Sequence, residues 1–272
     1  MNRRWTLDDI PWDRFEPLLV DPELLRAVKA AAMVEHNSGD YVTYLCNVFA
    51  DDPEFQAAAR DWGREEVQHG QALARWAGLA DPAFDFALSF KTFTDGYRLP
   101  LTAQQSVRGS RAGELIARCV VEVGTSSFYS AIRDATEEPV LKAICGKIAA
   151  DEFRHYKLFY QHARRYQATQ KLGLLGRLKV AFGRLSEVSD DELAFAYYSA
   201  NQPPEPYDRK RHAAAYSARA LPLYRFGHVQ RGIGMILKAC ELNPQGRLSA
   251  WLARAAWWGL QKRSRYLVRH AA

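Results

Sequence analysis

"ICGKIAADEFRHYKLF", residues 144–159, sets an acid and an imidazole, Glu152 and His155, three positions apart behind a small and apolar run. In a helix that spacing brings both side chains to one face. One such pair is common and specifies nothing by itself. A second pair at the same spacing, Glu66 and His69 in "GREEVQHGQAL", makes the pattern informative. Both pairs sit in long stretches of helical periodicity, and convincing strand alternation is absent throughout, so the chain reads as all-α.

Start and stop signals divide the chain into helices. Asp21 as N-cap and Pro22 at the first helical position predict a helix through "DPELLRAVKAAAMVEHNSGDYVTYLCNVFA". Asp52 and Pro53 repeat the signal for a second helix, which runs to about Gly78. A long connection, with room for short helices, leads to a third helix over roughly 111–134. "ATEEP" then turns it into a fourth over about 139–170. Short turn, long crossover, short turn is the connectivity of a ferritin-like four-helix bundle, predicted here for residues 1–170. Residues 171–272 read as a separate helical extension broken at "GLLGRLKVAFG", "NQPPEPYD" and "ELNPQG".

Two Glu-x-x-His pairs on two helices, with one glutamate from each of the other two, form the ligand set of di-iron carboxylate bundles. Helical rise tests whether those glutamates exist at the right depth. Glu66 lies about 14 residues beyond the first hairpin turn and Glu35 about 16 before it, so both sit roughly 21–24 Å away. Glu152 and Glu122 each lie about 15 residues from the second turn, near 22 Å. Glu114 and Glu23 miss that depth by about 12 and 18 Å. Burying Glu122 within "ARCVVEVGTSSFY" requires a compensating cation or metal. The mixed oxygen and nitrogen donors suit iron or manganese.

These residues resemble the soluble acyl-acyl-carrier-protein desaturases. "ICGKIAADEFRH" is similar to that family's A-x-I-C-G-x-I-A-A-D-E-x-R-H, "EEVQHG" to its E-E-N-R-H-G, and "EVGTSSF" to the segment carrying its third-helix glutamate and a threonine. "MVEHNSGDYVTYL" is a weaker match, and the likeness spans about residues 22–165. It implies Glu35, Glu66, His69, Glu122, Glu152 and His155 as ligands of two iron ions, with Glu66 and Glu152 bridging. It further implies Asp151 orienting His69, Glu65 as the pseudo-symmetric partner of His155, and Thr125 on the oxygen-binding side. Dioxygen as co-substrate, an external electron donor such as ferredoxin, and a homodimer follow from the same likeness. Gln68 and Tyr156 depart from the family pattern, and the segment after residue 170 has no counterpart in it.

The expected activity is oxidation of an unactivated C–H bond, by desaturation or hydroxylation, on an acyl or other hydrophobic substrate. The alternative is rubrerythrin-like peroxide reduction or ferritin-like iron handling. No C-x-x-C pair is present among the four cysteines, so a built-in rubredoxin centre and a thiolate zinc site are both excluded. Scattered single cysteines and the lack of a secretory h-region point to a cytoplasmic chain. Of the 37 basic and 31 acidic residues, 19 and 7 fall after residue 160, leaving that part near +12. Such a field favours an acidic carrier protein or an anionic membrane surface; nucleic acid is not expected to be a partner. The last helix, "RLSAWLARAAWWGLQKRSRYLVRH", is expected to pack its apolar side, Trp251, Trp257, Trp258 and Leu260, on the bundle, with a place on a membrane interface as the alternative.

Overall fold

The computed structural model describes residues 4–187, 191–203 and 205–270, and among these there is no strand. Three short 3-10 turns, Leu7–Asp9, Trp12–Arg14 and Pro17–Leu19, lead into α1 (Pro22–His36). Asp21 caps α1 by accepting from the amides of Glu23 and Leu24. There follow α2 (Ser38–Val48), α3 (Pro53–Ala80), α4 (Phe86–Gly96), α5 (Arg111–Ala135) and α6 (Pro139–Gln170). Asp52 caps α3 and Glu138 caps α6, each with proline next in line. The buried Glu138 carboxylate also accepts from the Glu16 amide and the Trp76 indole, which ties the N-terminal segment to α3 and α6.

The first predicted helix is two helices. Asn37 ends α1 at φ −80° and ψ 9°, and the Ser38 hydroxyl donates to the carbonyl of Gly63 on α3 at 3.0 Å. The physical reason lies in the run His36-Asn37-Ser38-Gly39. Short polar side chains compete with the helical ladder, and glycine gains nothing from continuing it. The crossover contains one helix, α4, and α5 and α6 lie within a residue of their predicted limits.

Two apolar clusters fill the interior. One contains Leu24, Val28, Trp76, Ile132, Leu141 and Ile144; the other contains Phe49, Phe55, Trp62, Leu115 and Phe159. Along α3 and α6 the residues between them include Glu66 and His69, and Glu152 and His155, while on α5 Glu122 sits at the edge of the second cluster. Hydrophobic burial at both ends thus holds a polar layer in the middle that would not drive folding by itself.

The extension forms α7 (Leu174–Ser186), α8 (Asp191–Asn201), α9 (Arg209–Ala220), α10 (Phe226–Ala239) and α11 (Arg247–His270). Helix α7 packs on α5, α8 on α1 and α4, α9 on α8, and α10 on α5 and α11. Tyr197, Ala200 and Ala220 join the first apolar cluster, and Ala181, Ala239 and Cys240 join the second. Helix α11 corrects the expectation for two of its tryptophans, while Trp257, half-buried beside Phe226, and Leu260, at the cavity wall, face the protein as expected. Trp251 and Trp258 point outward, and the small residues Ser249, Ala253 and Ser264 are the buried ones. Small side chains let α11 approach closely, which puts the bulky rings on the opposite side. No described helix is long and apolar enough to cross a membrane.

Candidate metal centre

Four helices each deliver one carboxylate to a single buried point: Glu35 from α1, Glu66 from α3, Glu122 from α5 and Glu152 from α6. His69 and His155 join them, and none of the six residues is more than 6% exposed. Glu114 and Glu23 lie elsewhere: Glu114 accepts from the Tyr44 and Ser106 hydroxyls, and Glu23 pairs with Arg219. The depth count therefore selects the four glutamates that the structure brings together.

The six residues form two overlapping groups whose donor atoms lie within 4.8 Å of one another: Glu35, Glu66, His69 and Glu152, and Glu66, Glu122, Glu152 and His155. Glu66 and Glu152 belong to both. Glu152 turns Oε1 to His69 Nδ1 at 3.3 Å and Oε2 to His155 Nδ1 at 3.8 Å. Glu66 likewise faces His155 Nδ1 with Oε1 at 3.0 Å and His69 Nδ1 with Oε2 at 3.7 Å. Each shared carboxylate thus presents one oxygen to each half, the arrangement of a bridging ligand.

The remaining imidazole nitrogens are held from outside. His69 Nε2 meets Asp151 Oδ2 at 3.1 Å, and His155 Nε2 meets Glu65 Oε2 at 2.9 Å. A carboxylate on Nε2 fixes the proton there and turns the Nδ1 lone pair inward, as ligation requires. Arg154 donates to both Asp151 and Glu65, and Arg4 pairs with Glu65 at 2.7 Å. Both Nδ1 atoms, Glu35 Oε2 and Glu152 Oε1 are buried without a hydrogen-bond partner. When all are ionised, the four inward carboxylates carry four negative charges, and the buried Arg118 guanidinium touches one of them, Glu122. Two divalent metals would neutralise the four charges and satisfy the orphaned atoms, so the residues present fit that group.

The electrostatics express the same crowding. Burial, then repulsion from neighbouring glutamates, pushes Glu35 and Glu122 well above the ordinary carboxylate range. Burial acts against charge on the imidazoles too. Even so, Asp151, Glu152 and other carboxylates hold His69 well above its usual range, and Glu152, Glu65 and Glu66 do the same to His155.

Several partners were not foreseen in the sequence. Arg118, one turn before Glu122, donates to its Oε1 at 3.0 Å and lies against the rings of Trp62, Tyr41 and Phe159. A lone arginine in the run "LIARCVVEV" was the available signal. The half-buried Trp5 donates from Nε1 to Asp151 Oδ2 at 2.7 Å and stacks on His69 at 5.9 Å. Of the tyrosines about two turns from the clustered glutamates, Tyr129 donates to Glu35 Oε1 at 2.5 Å. Tyr41 donates instead to Glu192, and Tyr160 stacks on Tyr156. The Thr125 hydroxyl reaches Glu152 Oε2 at 2.6 Å, a better acceptor than the helical carbonyls at 3.2 and 3.3 Å.

Beside the cluster lies a cavity of about 390 Å³. Glu35, Glu66, Glu122, Glu152 and Thr125 form its polar end. Its other walls are largely apolar, and they combine α5 residues such as Phe128 with Tyr216, Ile233 and Leu260 of the extension. Compared with known proteins, the chain matches no family model and no curated sequence.

Proposed function

We propose that the protein is a ferritin-like di-iron oxidase or oxygenase, similar in design to the soluble acyl-acyl-carrier-protein desaturases. It uses dioxygen and outside electrons to desaturate or hydroxylate a hydrophobic substrate. The observation that carries this reading is the pairing of the two Glu-x-x-His motifs. Each imidazole faces both shared carboxylates, and each is held from behind by its own acid.

Glu35, Glu66, His69, Glu122, Glu152 and His155 would hold two irons, with manganese as the competing metal. The metals supply activation of dioxygen and the oxidising power to break an unactivated C–H bond. The protein contributes order and dryness. Asp151 and Glu65 keep the imidazole protons on Nε2, and Tyr129 fixes the Glu35 carboxylate. Thr125 holds a hydroxyl proton at the cavity side of Glu152, where it can be donated to a group bound there. The flanking apolar clusters keep bulk water from the reacting end. Electrons from a ferredoxin-like donor have a short bonded path, from the half-buried Trp5 through Asp151 to His69. The cavity favours this reading over peroxide reduction or iron handling, because neither needs an apolar chamber beside the ligands.

The test is metal content and oxygen uptake after anaerobic iron loading, with Glu122→Ala beside the wild type. Two irons per chain and rapid oxygen uptake, both reduced in the variant, support the reading. Wild-type protein that holds no stoichiometric metal, or a variant indistinguishable from it, sinks it.

A further inference from the structure

Helix α11 has two unlike faces. At 100° per residue, Ser249, Ala253, Leu260 and Ser264 fall on one side. Three of these are buried, and Leu260 contributes to the wall of the cavity. On the opposite side Leu248, Trp251, Trp258 and Tyr266 fall within about 80° of arc. They are 53%, 64%, 66% and 60% exposed, large values for two indoles and two other bulky side chains on one helix. Interleaved with them on that side are Arg247, Arg254, Lys262, Arg265 and Arg269, all exposed. Residues 247–270 contain no aspartate or glutamate.

We propose that this outward face of α11 docks the protein on an anionic membrane surface, with Trp251 and Trp258 seated at the headgroup level. Charge complementarity identifies the occupant. Five cations with no acid among them attract anionic lipid headgroups, each by about fivefold in affinity near the surface. A second copy of the same face would bring like charges together, so self-association through it is opposed. The face is also one side of a helix about 36 Å long, on which Trp258 lies under Lys262 and Tyr266 stacks on His270. Protein partners instead grip aromatic anchors in pockets, and indoles on a flat cationic surface match the chemistry of the bilayer interface.

The docked orientation has a consequence for the cavity. One side of α11 would rest on lipid while the other contributes Leu260 to the cavity wall, so a single helix separates the cavity from the bilayer. A hydrophobic substrate dissolved in the membrane would then meet the protein at the wall the extension builds. Docking itself does not depend on the metal reading, and the two fail separately: one by vesicle binding, the other by metal content.

The experiment is sedimentation of the full chain with vesicles of equimolar phosphatidylglycerol and phosphatidylcholine, and with pure phosphatidylcholine. The expected result is binding to the anionic vesicles that high salt reverses, with weak binding to neutral ones. Trp251→Ser with Trp258→Ser should lower affinity by on the order of tenfold or more and remove a blue shift in tryptophan emission. Arg254→Gln with Lys262→Gln and Arg265→Gln should lower it about a hundredfold and leave the thermal midpoint unchanged. Failure to bind anionic vesicles overturns the proposal, as does binding indifferent to both sets of substitutions. Two further results would also overturn it. One is concentration-dependent dimerisation abolished by the tryptophan changes; the other is binding to polyglutamate by a protein that ignores the vesicles.

Discussion

Gly70→Ala is the most informative single substitution, because it acts on the metal centre through packing alone. Gly70 follows His69 on α3, and a Cβ there would lie 2.7 Å from the backbone nitrogen of His36, 2.8 Å from its Cβ and 2.9 Å from its Cα. Carbon atoms pack comfortably at about 3.5 Å or more, so α1 and α3 must separate locally by roughly 0.6–0.7 Å. The obstacle is mostly backbone and cannot rotate away. Overpacking of this kind costs about 1–3 kcal/mol, against a helix-propensity gain of up to about 1 kcal/mol. His36 is the residue after Glu35, so the same displacement carries Glu35 away from His69 and leaves the His155 half in register. Ligand distances tolerate only about 0.2 Å, so affinity at the His69 half should fall on the order of tenfold or more. In a chelator-competition titration the variant should keep one iron tightly and lose the other, with a thermal midpoint several degrees lower. Gly78→Ala on the same helix, where the new Cβ meets nothing within 4 Å, is the control: it should keep both irons and, with only the propensity gain, not lower the midpoint. A Gly70→Ala protein with both irons at wild-type affinity and a wild-type midpoint would refute the claim that contact between α1 and α3 sets the spacing of the centre.

Arg118→Met should destabilise the metal-free protein by about 3 kcal/mol, because Glu122 loses its buried partner, and by less once metal takes over that charge; melts with and without iron measure the difference. Trp5→Phe keeps a ring near His69 but removes the hydrogen bond to Asp151. Iron content should hold while turnover with an external donor falls at least about tenfold, and an unchanged rate would remove Trp5 from the electron path. Asp134 is drawn down to about 2 by the hydrogen bond from Arg133 and then by His228, so its contribution to stability is present above pH about 4 and disappears as pH falls toward 2. Asp134→Asn should therefore lower the thermal midpoint slightly at pH 7 and leave it unchanged near pH 2; a difference that persists at the acid end would contradict the pairing.

Glu35, Glu66, Glu122 and Glu152 were legible in the sequence because a helix converts residue number into distance, and four helices anchored by two hairpins share one ruler. That ruler tolerated an error. The first helix breaks at Asn37, yet α2 continues from Ser38 to Val48 and keeps Glu35 level with Glu66. Glu65 and Asp151 came from the resemblance instead of the ruler: each adjoins one of these glutamates on its own helix, and each meets the imidazole of the opposite pair. Trp5 was not reachable, since 146 residues separate it from Asp151 and no periodicity links a 3-10 segment to α6. Where each helix of the extension packs was out of reach for the same reason. Its apolar faces were visible in the pattern, but which surface each would cover depends on shapes that exist only after α1, α5 and α6 have assembled. Trp251 and Trp258 show where hydrophobicity alone misleads: two of the three indoles of α11 are exposed, while Ser249, Ala253 and Ser264 are its buried residues. A helix that buries small residues and exposes indoles beside arginines is shaped by two surroundings, the protein on one side and whatever surface meets the indoles on the other. Only the first of these is encoded in the chain's own contacts.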